Sequence, residues 1–483
     1  MPLAKACARR DTSGMRNLAM IAALTAAALA SPTLAQDDPA QSVSLERLQA
    51  DVETMVAFGT RHTLSSQTDS ARGIGAALTW GMGEFEKASA ACGGCLDTRF
   101  IEDNVSGRRI PDPVLIRNAL AIQWGSKRPE EVVIIQGHID SRGTDVMDAH
   151  VDAPGANDNA SGSALVLEAS RALSQRQYPT TIIYALLSGE EQGLYGGNLL
   201  ADFATEQGWT VKAVLNNDVV GGSCGSDGIC DADHVRVFSE GVRADADDET
   251  RAAMRSRGGA NDSPSRNLSR WLDGMAEQHT GGLDVRQTWR SDRMGRGGDH
   301  LPFLDRGYPA IRFSVAIEDY EHQHQDLRVE DGVTYGDTAD EMDFPYLAEV
   351  TKLNVRAADR LAHTPMPPVV TAEAAVRTDT LLTWAKVGAA DRYRIFHRRT
   401  DAPDWIMEPV DVTTSDDPAI FRIIADGPDA SFAVENDTIS ATVNKRGDDY
   451  IFGVSACNGS YCSPVSSAVP GGGFYPLPID SAE

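Results

Sequence analysis

Val132-Val-Ile-Ile-Gln-Gly-His138-Ile-Asp140 decides the fold, because an apolar, β-rich run ends abruptly on an imidazole and a carboxylate. Three more segments share that layout. Thr181-Ile-Ile-Tyr-Ala-Leu-Leu-Ser-Gly-Glu190-Glu191 ends on two adjacent acids, and Ala213-Val-Leu-Asn-Asn-Asp218 ends on one. Ala310-Ile-Arg-Phe-Ser-Val leads to Glu321-His322-Gln-His324-Gln-Asp326. Open α/β sheets bind ligands in the crevice beyond the carboxyl ends of their strands. Four such strands predict one shared site at one sheet edge.

Short β-rich runs alternate with helical ones from about residue 112 to 360, at 114–124, 132–136, 181–187, 213–217, 234–238 and 310–315. The alternation predicts an α/β fold: a mixed, mostly parallel sheet sandwiched by helices. Upstream, Leu45, Leu48, Val52 and Val56 recur at helical spacing, and a second helical run spans 71–85. Residues 241–264 are polar and read as a surface insertion.

A proline-rich stretch at 363–368 reads as a linker. Beyond it, Leu381-Leu-Thr-Trp384, Tyr393-Arg-Ile-Phe396 and Tyr450-Ile-Phe-Gly-Val-Ser455 alternate as strands do. Residues 369–483 are therefore expected to form a small all-β sandwich. It carries no motif residue, so its removal is expected to leave hydrolysis of small substrates intact. Its expected role is docking to a surface or partner, or stability.

The 483-residue chain is too long for one ordinary core. Its 70 acidic against 44 basic residues give a net charge of -26. That balance argues against a nucleic-acid partner and against an anionic membrane surface. Residues 1–35 read as a signal peptide: Arg9, Arg10 and Arg16, then an apolar run at 18–30, then Thr33-Leu34-Ala35. No later stretch is long and apolar enough to be transmembrane, so a periplasmic or secreted location is expected. Six cysteines fall as near neighbours, Cys92 with Cys95, Cys224 with Cys230 and Cys457 with Cys462. Three local disulfides in an oxidising compartment is the simple account, and a redox Cys92-Gly-Gly-Cys95 or a four-cysteine zinc knuckle the alternatives.

Between the first two strand ends lies Pro154-Gly-Ala-Asn-Asp158-Asn-Ala-Ser-Gly162, a loop whose glycines permit the tight turns that bring Asp158 near the site. Mixed His and carboxylate ligands suit zinc, and a bridging carboxylate suits two metals. Adjacent Glu190 and Glu191 point different ways on an extended backbone, so one can ligate while the other acts as base.

His-x-Asp after a strand, Gly-Ala-Asn-Asp-Asn-Ala-Ser-Gly, Ser-Gly-Glu-Glu-x-Gly-x-x-Gly-Gly, Asn-x-Asp and a late His, in that order, resemble the two-zinc aminopeptidase family of bacterial leucyl-type aminopeptidases. Glutamate carboxypeptidases and glutaminyl cyclases are relatives. The resemblance covers roughly 45–360 within an expected catalytic domain at 42–362, and includes Phe58-Gly-Thr-Arg61 and Gly298-Asp-His-Leu-Pro-Phe303. It implies an exopeptidase acting on peptides with two Zn2+. His138, Asp158 and Asp218 would hold one ion, Asp158 would bridge to a second, and Glu191 and His322 would complete that one. Glu190 would be the general base and Asp140 would orient His138. The family places an acid four residues after the late histidine, which selects His322, paired with Asp326, over His324. Asp299 and His300 are candidates for the substrate pocket. A metallocarboxypeptidase, a glutaminyl cyclase and a receptor-like domain without activity are the competing implications. The first of these would differ in whether the pocket pairs with a free amine or a free carboxylate. The C-terminal region, with Trp384 and Tyr450-x-Phe-x-Val-x-Ala456, resembles a fibronectin type III module.

Overall fold

The computed structural model describes residues 38–413, 423–425, 430–435 and 437–478, so the expected signal peptide at 1–35 lies outside the described residues. The chain enters through helices α1 (Leu45–Ala57) and α2 (Ile74–Ala91). Ser44 caps α1 by accepting the Arg47 N–H at 3.2 Å, and Leu48, Val52 and Met55 point into the core. A hairpin of β1 (Asp97–Gly107) and β2 (Ile110–Gln123) follows, then β3 (Arg128–His138), α3 (Ser161–Leu173) and β4 (Thr180–Leu187). Next come a single turn α4 (Glu190–Gly193), α5 (Tyr195–Glu206), β5 (Thr210–Asn217) and β6 (His234–Phe238). Helices α6 (Asp248–Arg257) and α7 (Pro264–Ala276), strand β7 (Asp284–Thr288), α8 (Leu301–Asp305) and β8 (Ala310–Val315) complete the main layer. A small hairpin, β9 (Arg328–Glu330) with β10 (Val333–Tyr335), precedes the long α9 (Phe344–His363).

Among the described residues eight strands form one sheet in the order β1-β2-β4-β3-β5-β8-β6-β7. Its centre, β4-β3-β5-β8, is parallel throughout, while β1, β2 and β6 bring in antiparallel pairings. Side chains alternate across a strand. Accordingly Val133 and Ile135 of β3 pack with α3 and α9 on one face, while Val132 and Ile134 pack with α5 and α8 on the other. Because both faces are covered, the central strands are apolar almost without interruption, which made them legible. The edge strands β1 and β7 were not expected: Asp97-Thr-Arg-Phe-Ile-Glu-Asp-Asn and Asp284-Val-Arg-Gln-Thr have too few apolar residues to announce themselves.

The C-terminal region is all-β and antiparallel. It runs β11 (Val370–Glu373), β12 (Thr380–Ala385), β13 (Arg392–Arg399), β14 (Ile406–Thr413), β15 (Ile423–Ala425), β16 (Ala430–Glu435), β17 (Thr438–Val443), β18 (Tyr450–Asn458), β19 (Tyr461–Cys462) and β20 (Ser466–Ser467). One sheet is ordered β11-β12-β17-β16 and the other β15-β14-β13-β18-β19, with β20 alongside β18. Leu382, Trp384, Tyr393, Ile395, Phe452 and Val454 share one core.

This region is not strung on a spacer. Thr364, Pro365, Met366, Pro367 and Pro368 of the expected linker are buried, and the described residues from Asp38 onward belong to one compact unit. Arg398 of β13 meets Asp262 at 2.5 Å with both side chains buried. Trp405 and Ser467 both bond Asn267 of α7, and Trp271 donates to the Cys462 carbonyl at 3.3 Å. Arg243 donates to the carbonyls of Gly473 and Tyr475. Residues 241–264, expected as a surface insertion, therefore supply much of the seat for the β region. Their polar composition reflects buried ion pairs as well as solvent exposure.

The same seat holds a buried acid. Burial pushes the Glu240 carboxyl up to about 8 from its ordinary 4.5, against the opposing pull of the Ala244 N–H and Arg243. Between those two values the folded chain holds a proton that the unfolded chain has released. Stability from this group is therefore complete below about 4.5 and declines as pH rises toward 8. Glu240→Gln is expected to raise Tm over the native chain by an amount that grows from pH 5 to pH 8. Thermal melts at both pH values check this, and a gain independent of pH would contradict it.

The three near-neighbour cysteine pairs are bonded, Cys92–Cys95, Cys224–Cys230 and Cys457–Cys462. Among the described residues no helix is long and apolar enough to cross a membrane.

Candidate metal centre

His138 ends β3, Glu190 and Glu191 open α4 just after β4, and Asp218 follows β5. These strands are parallel neighbours, so their carboxyl ends deliver the three groups to one place. Asp158 arrives on the loop between β3 and α3. Gly155 starts that loop at φ +53°, and a Cβ there would lie 2.5 Å from the Asp158 carbonyl oxygen. Only glycine fits a left-handed turn packed so closely.

Two triads of potential ligand atoms result, His138-Asp158-Asp218 and Asp158-Glu191-His324, with Asp158 in both. His138 Nε2 lies 3.2 Å from Asp158 Oδ1 and 3.7 Å from Asp218 Oδ1. His324 Nε2 lies 2.9 Å from Asp158 Oδ2 and 3.0 Å from Glu191 Oε1. Each Asp158 oxygen thus faces a different imidazole.

His322 corrects the expectation. Its Nδ1 sits 2.6 Å from Asp319 Oδ2 and its Nε2 3.6 Å from Glu341 Oε1, away from Asp158 and Glu191. The loop turns back at His324, whose φ is +58°, and this aims His324 inward. Asp326, which selected His322 by spacing, accepts the Thr144 N–H at 2.9 Å and pins the loop instead.

Asp140 stands behind His138, whose Nδ1 is 3.1 Å from the Asp140 carbonyl and 3.5 Å from its carboxylate. The same carboxylate accepts from Thr63 Oγ1 and from the Glu190 and Glu191 N–H groups. One buried acid therefore orients both the imidazole and the turn that carries the two glutamates. Asp299 and His300 were expected near the pocket. Both are fully buried: Asp299 accepts the Gly197 N–H at 3.1 Å, and His300 Nε2 bonds the Ser291 carbonyl at 2.7 Å. They form the wall behind Asp218 and present no surface to a substrate.

Several supporting residues were not anticipated. Asp337 accepts the Asn157 and Asp158 N–H groups at 2.8 and 2.7 Å, and Gln323 donates to Asp158 Oδ2 at 2.7 Å. Arg61, fully buried, donates to the carbonyls of Met55, Ile139, Pro154 and Gly155. Arg312 bonds Asp218 Oδ1 at 2.8 Å and Asp292 at 2.8 Å, and Arg142 bonds Glu191 Oε2 at 2.9 Å. Arg61 carried a signal within Phe58-Gly-Thr-Arg61, and Arg312 carried one as a charge inside an apolar strand. Asp337 carried none, since its partners are backbone groups 179 and 180 residues earlier.

The electrostatics call for a cation. Burial would depress the His138 imidazole, but Glu190 and the hydrogen bonds with Asp140, Asp158 and Asp218 hold it well above its ordinary range. Burial opposes protonation of His324 too, and Glu191 with Asp158 nevertheless pushes it up to about 9. The crowded carboxylates raise both imidazoles, and Asp218 Oδ2 is still buried without a hydrogen-bond partner. Mixed His and carboxylate donors clustered this way fit divalent metal.

Sheet and site together define a metallopeptidase. Residues 118–343 match the model of peptidase family M28. A probable zinc metalloprotease of Leptosphaeria maculans is 42% identical over 373 residues, 76% of this chain and 86% of that one. Another, of Pyricularia oryzae, is 42% identical over 384 residues, 77% and 75% of the two chains. The chain belongs to peptidase family M28. Among solved structures, Legionella pneumophila LapB aligns at TM-score 0.49 and 18% identity over 66% of this chain and 72% of that chain. A Fimbriiglobus ruber glutaminyl cyclase aligns at 0.45 and 18% over 66% and 95%.

Proposed function

We propose that this protein is an exported zinc exopeptidase that binds two Zn2+ and removes amino-terminal residues from peptides. The observation that supports two ions is the sharing of Asp158 between two ligand triads. His138, Asp158 and Asp218 would hold one ion, and Asp158, Glu191 and His324 the other. Zinc bound there would supply Lewis acidity toward the scissile carbonyl and acidify the attacking water. Glu190 is the acid left over for proton transfer. Burial pushes its carboxyl well up; His138 opposes the rise, and the charges of Glu191, Asp218 and Asp299 add to it. A carboxylate raised in this way accepts the water's proton and returns it to the leaving amine.

A free amine suits this site better than a free carboxylate. The guanidinium groups at hand are already engaged by the protein's own acids, Arg312 by Asp218 and Asp292, Arg293 by Asp292 and Glu318, and Arg296 by Glu318. A panel of amino-acid anilides against N-blocked peptides tests the point, and preference for N-blocked peptides would favour a carboxypeptidase. Purified, zinc-replete protein is expected to carry both buried ions and to lose activity on chelation, with zinc restoring it. Elemental analysis finding at most one ion would overturn the two-metal reading. Export rests on residues 1–35 and the three disulfides, and implies a mature chain beginning near Gln36 in the periplasm or medium. The C-terminal sheets are read as a fibronectin type III-like module that also buttresses the catalytic unit.

A further inference from the structure

We propose that His322 and Glu341, with Asp319 behind them, form a third divalent-cation site at the rim, separate from the buried pair. The three side chains bring potential ligand atoms within 4.8 Å of one another. Asp319 Oδ2 lies 2.6 Å from His322 Nδ1, which fixes the proton on that nitrogen and turns Nε2 outward. A carboxylate holding the far nitrogen is the arrangement that orients histidine ligands at metal sites. His322 Nε2 then faces Glu341 Oε1 at 3.6 Å. Two ligands of a tetrahedral zinc, each about 2.0–2.1 Å from the ion, stand about 3.4 Å apart. Little movement is therefore needed to seat an ion between them, with water in the remaining positions. His322 is only 14% exposed and Glu341 44%, so the site opens to solvent on the Glu341 side.

Both ligands sit on segments that are held firmly. Next to His322, Gln323 donates to Asp158 and His324 meets Asp158 and Glu191. Glu341 lies between Asp337, which holds the Asp158 loop, and Asp343, which caps α9 and accepts Ser223 Oγ at 2.7 Å. An ion at the rim would tie the loop carrying His324 to the segment carrying Asp337. Its occupancy would thereby secure the buried pair without touching substrate. The inference stands beside the buried pair proposed above, and counting ions in variants separates the two.

The test is zinc uptake by metal-stripped full-length protein in equilibrium dialysis against graded free Zn2+, read by elemental analysis, with thermal melts to confirm folding. The native chain is expected to bind two equivalents tightly and a third more weakly. His322→Ala and Glu341→Gln are each expected to lose the third equivalent alone. His324→Ala is expected to lose one of the tight pair and keep the rim ion. Saturation of the native chain at two equivalents, or a third equivalent retained in both rim variants, overturns the rim site and leaves the buried pair standing. Loss of a tight equivalent in His322→Ala, with His324→Ala intact, overturns the separation of the sites. Fewer than two tight equivalents in the native chain would instead count against the buried pair.

Discussion

Glu190→Gln is expected to lower kcat by about 10²- to 10⁴-fold, the usual worth of general-base catalysis, while the buried metal content stays unchanged. The amide preserves the size of the side chain but accepts no proton at neutral pH. Glu190 belongs to neither ligand triad, so its loss leaves the donor set whole. Glu191→Gln should behave in the opposite way. Glu191 Oε1 lies 3.0 Å from His324 Nε2, inside the second triad, and its other oxygen is held by Arg142. Neutralising it removes an anionic donor, so one ion should weaken first and activity should follow metal occupancy. Zinc content and kcat measured on both variants divide the roles. Metal loss from Glu190→Gln with full retention in Glu191→Gln would reverse them.

Removing everything after Pro368 is expected to unfold or aggregate the catalytic unit, where the sequence alone suggested a dispensable module. Truncation would strip Asp262 of Arg398, Asn267 of Trp405 and Ser467, and Arg243 of three carbonyl partners. Where Asp262 stays buried, loss of the Arg398 charge costs up to about 3–5 kcal/mol, reduced by what Arg270, 3.8 Å from Asp262, still supplies. Arg398→Met isolates the largest single contact and should by itself lower stability by about that amount. Calorimetry should show one cooperative transition for the native chain and a sharply lower Tm for Arg398→Met. A soluble truncated chain that melts as the native one does would show the β region to be an independent bead.

The contrast between what could and could not be read has a physical basis. The candidate ligands His138, Asp158, Glu191 and Asp218 were legible because each closes a β-rich run or sits in a glycine-marked loop, and a sheet edge gathers such ends. The choice between His322 and His324 was not legible. Two histidines two residues apart differ only in the turn between them, and the positive φ at His324 that settles it leaves no mark in composition. Spacing to Asp326 misled because that acid bonds Thr144 across the loop mouth. The β1 and β7 strands escaped notice because edges need cover on fewer sides. The seat for the C-terminal sheets escaped because its polar residues, Arg243, Asp262 and Asn267, look like surface until their partners from beyond residue 390 are known.

The grip on Asp158 has a consequence for when the protein becomes active. Its loop is held by Arg61 from the start of the chain, across 93 and 94 residues, and by Gln323 and Asp337 from 165 and 179 residues downstream. Contacts so distant in sequence form late in folding, because a long loop must close before they do. While the ribosome is still short of residue 337, the growing chain lacks the group that fixes Asp158. A peptidase assembled in this order is expected to stay silent through its own synthesis, its first turnover waiting for the catalytic unit and the sheets seated on it to be made and packed.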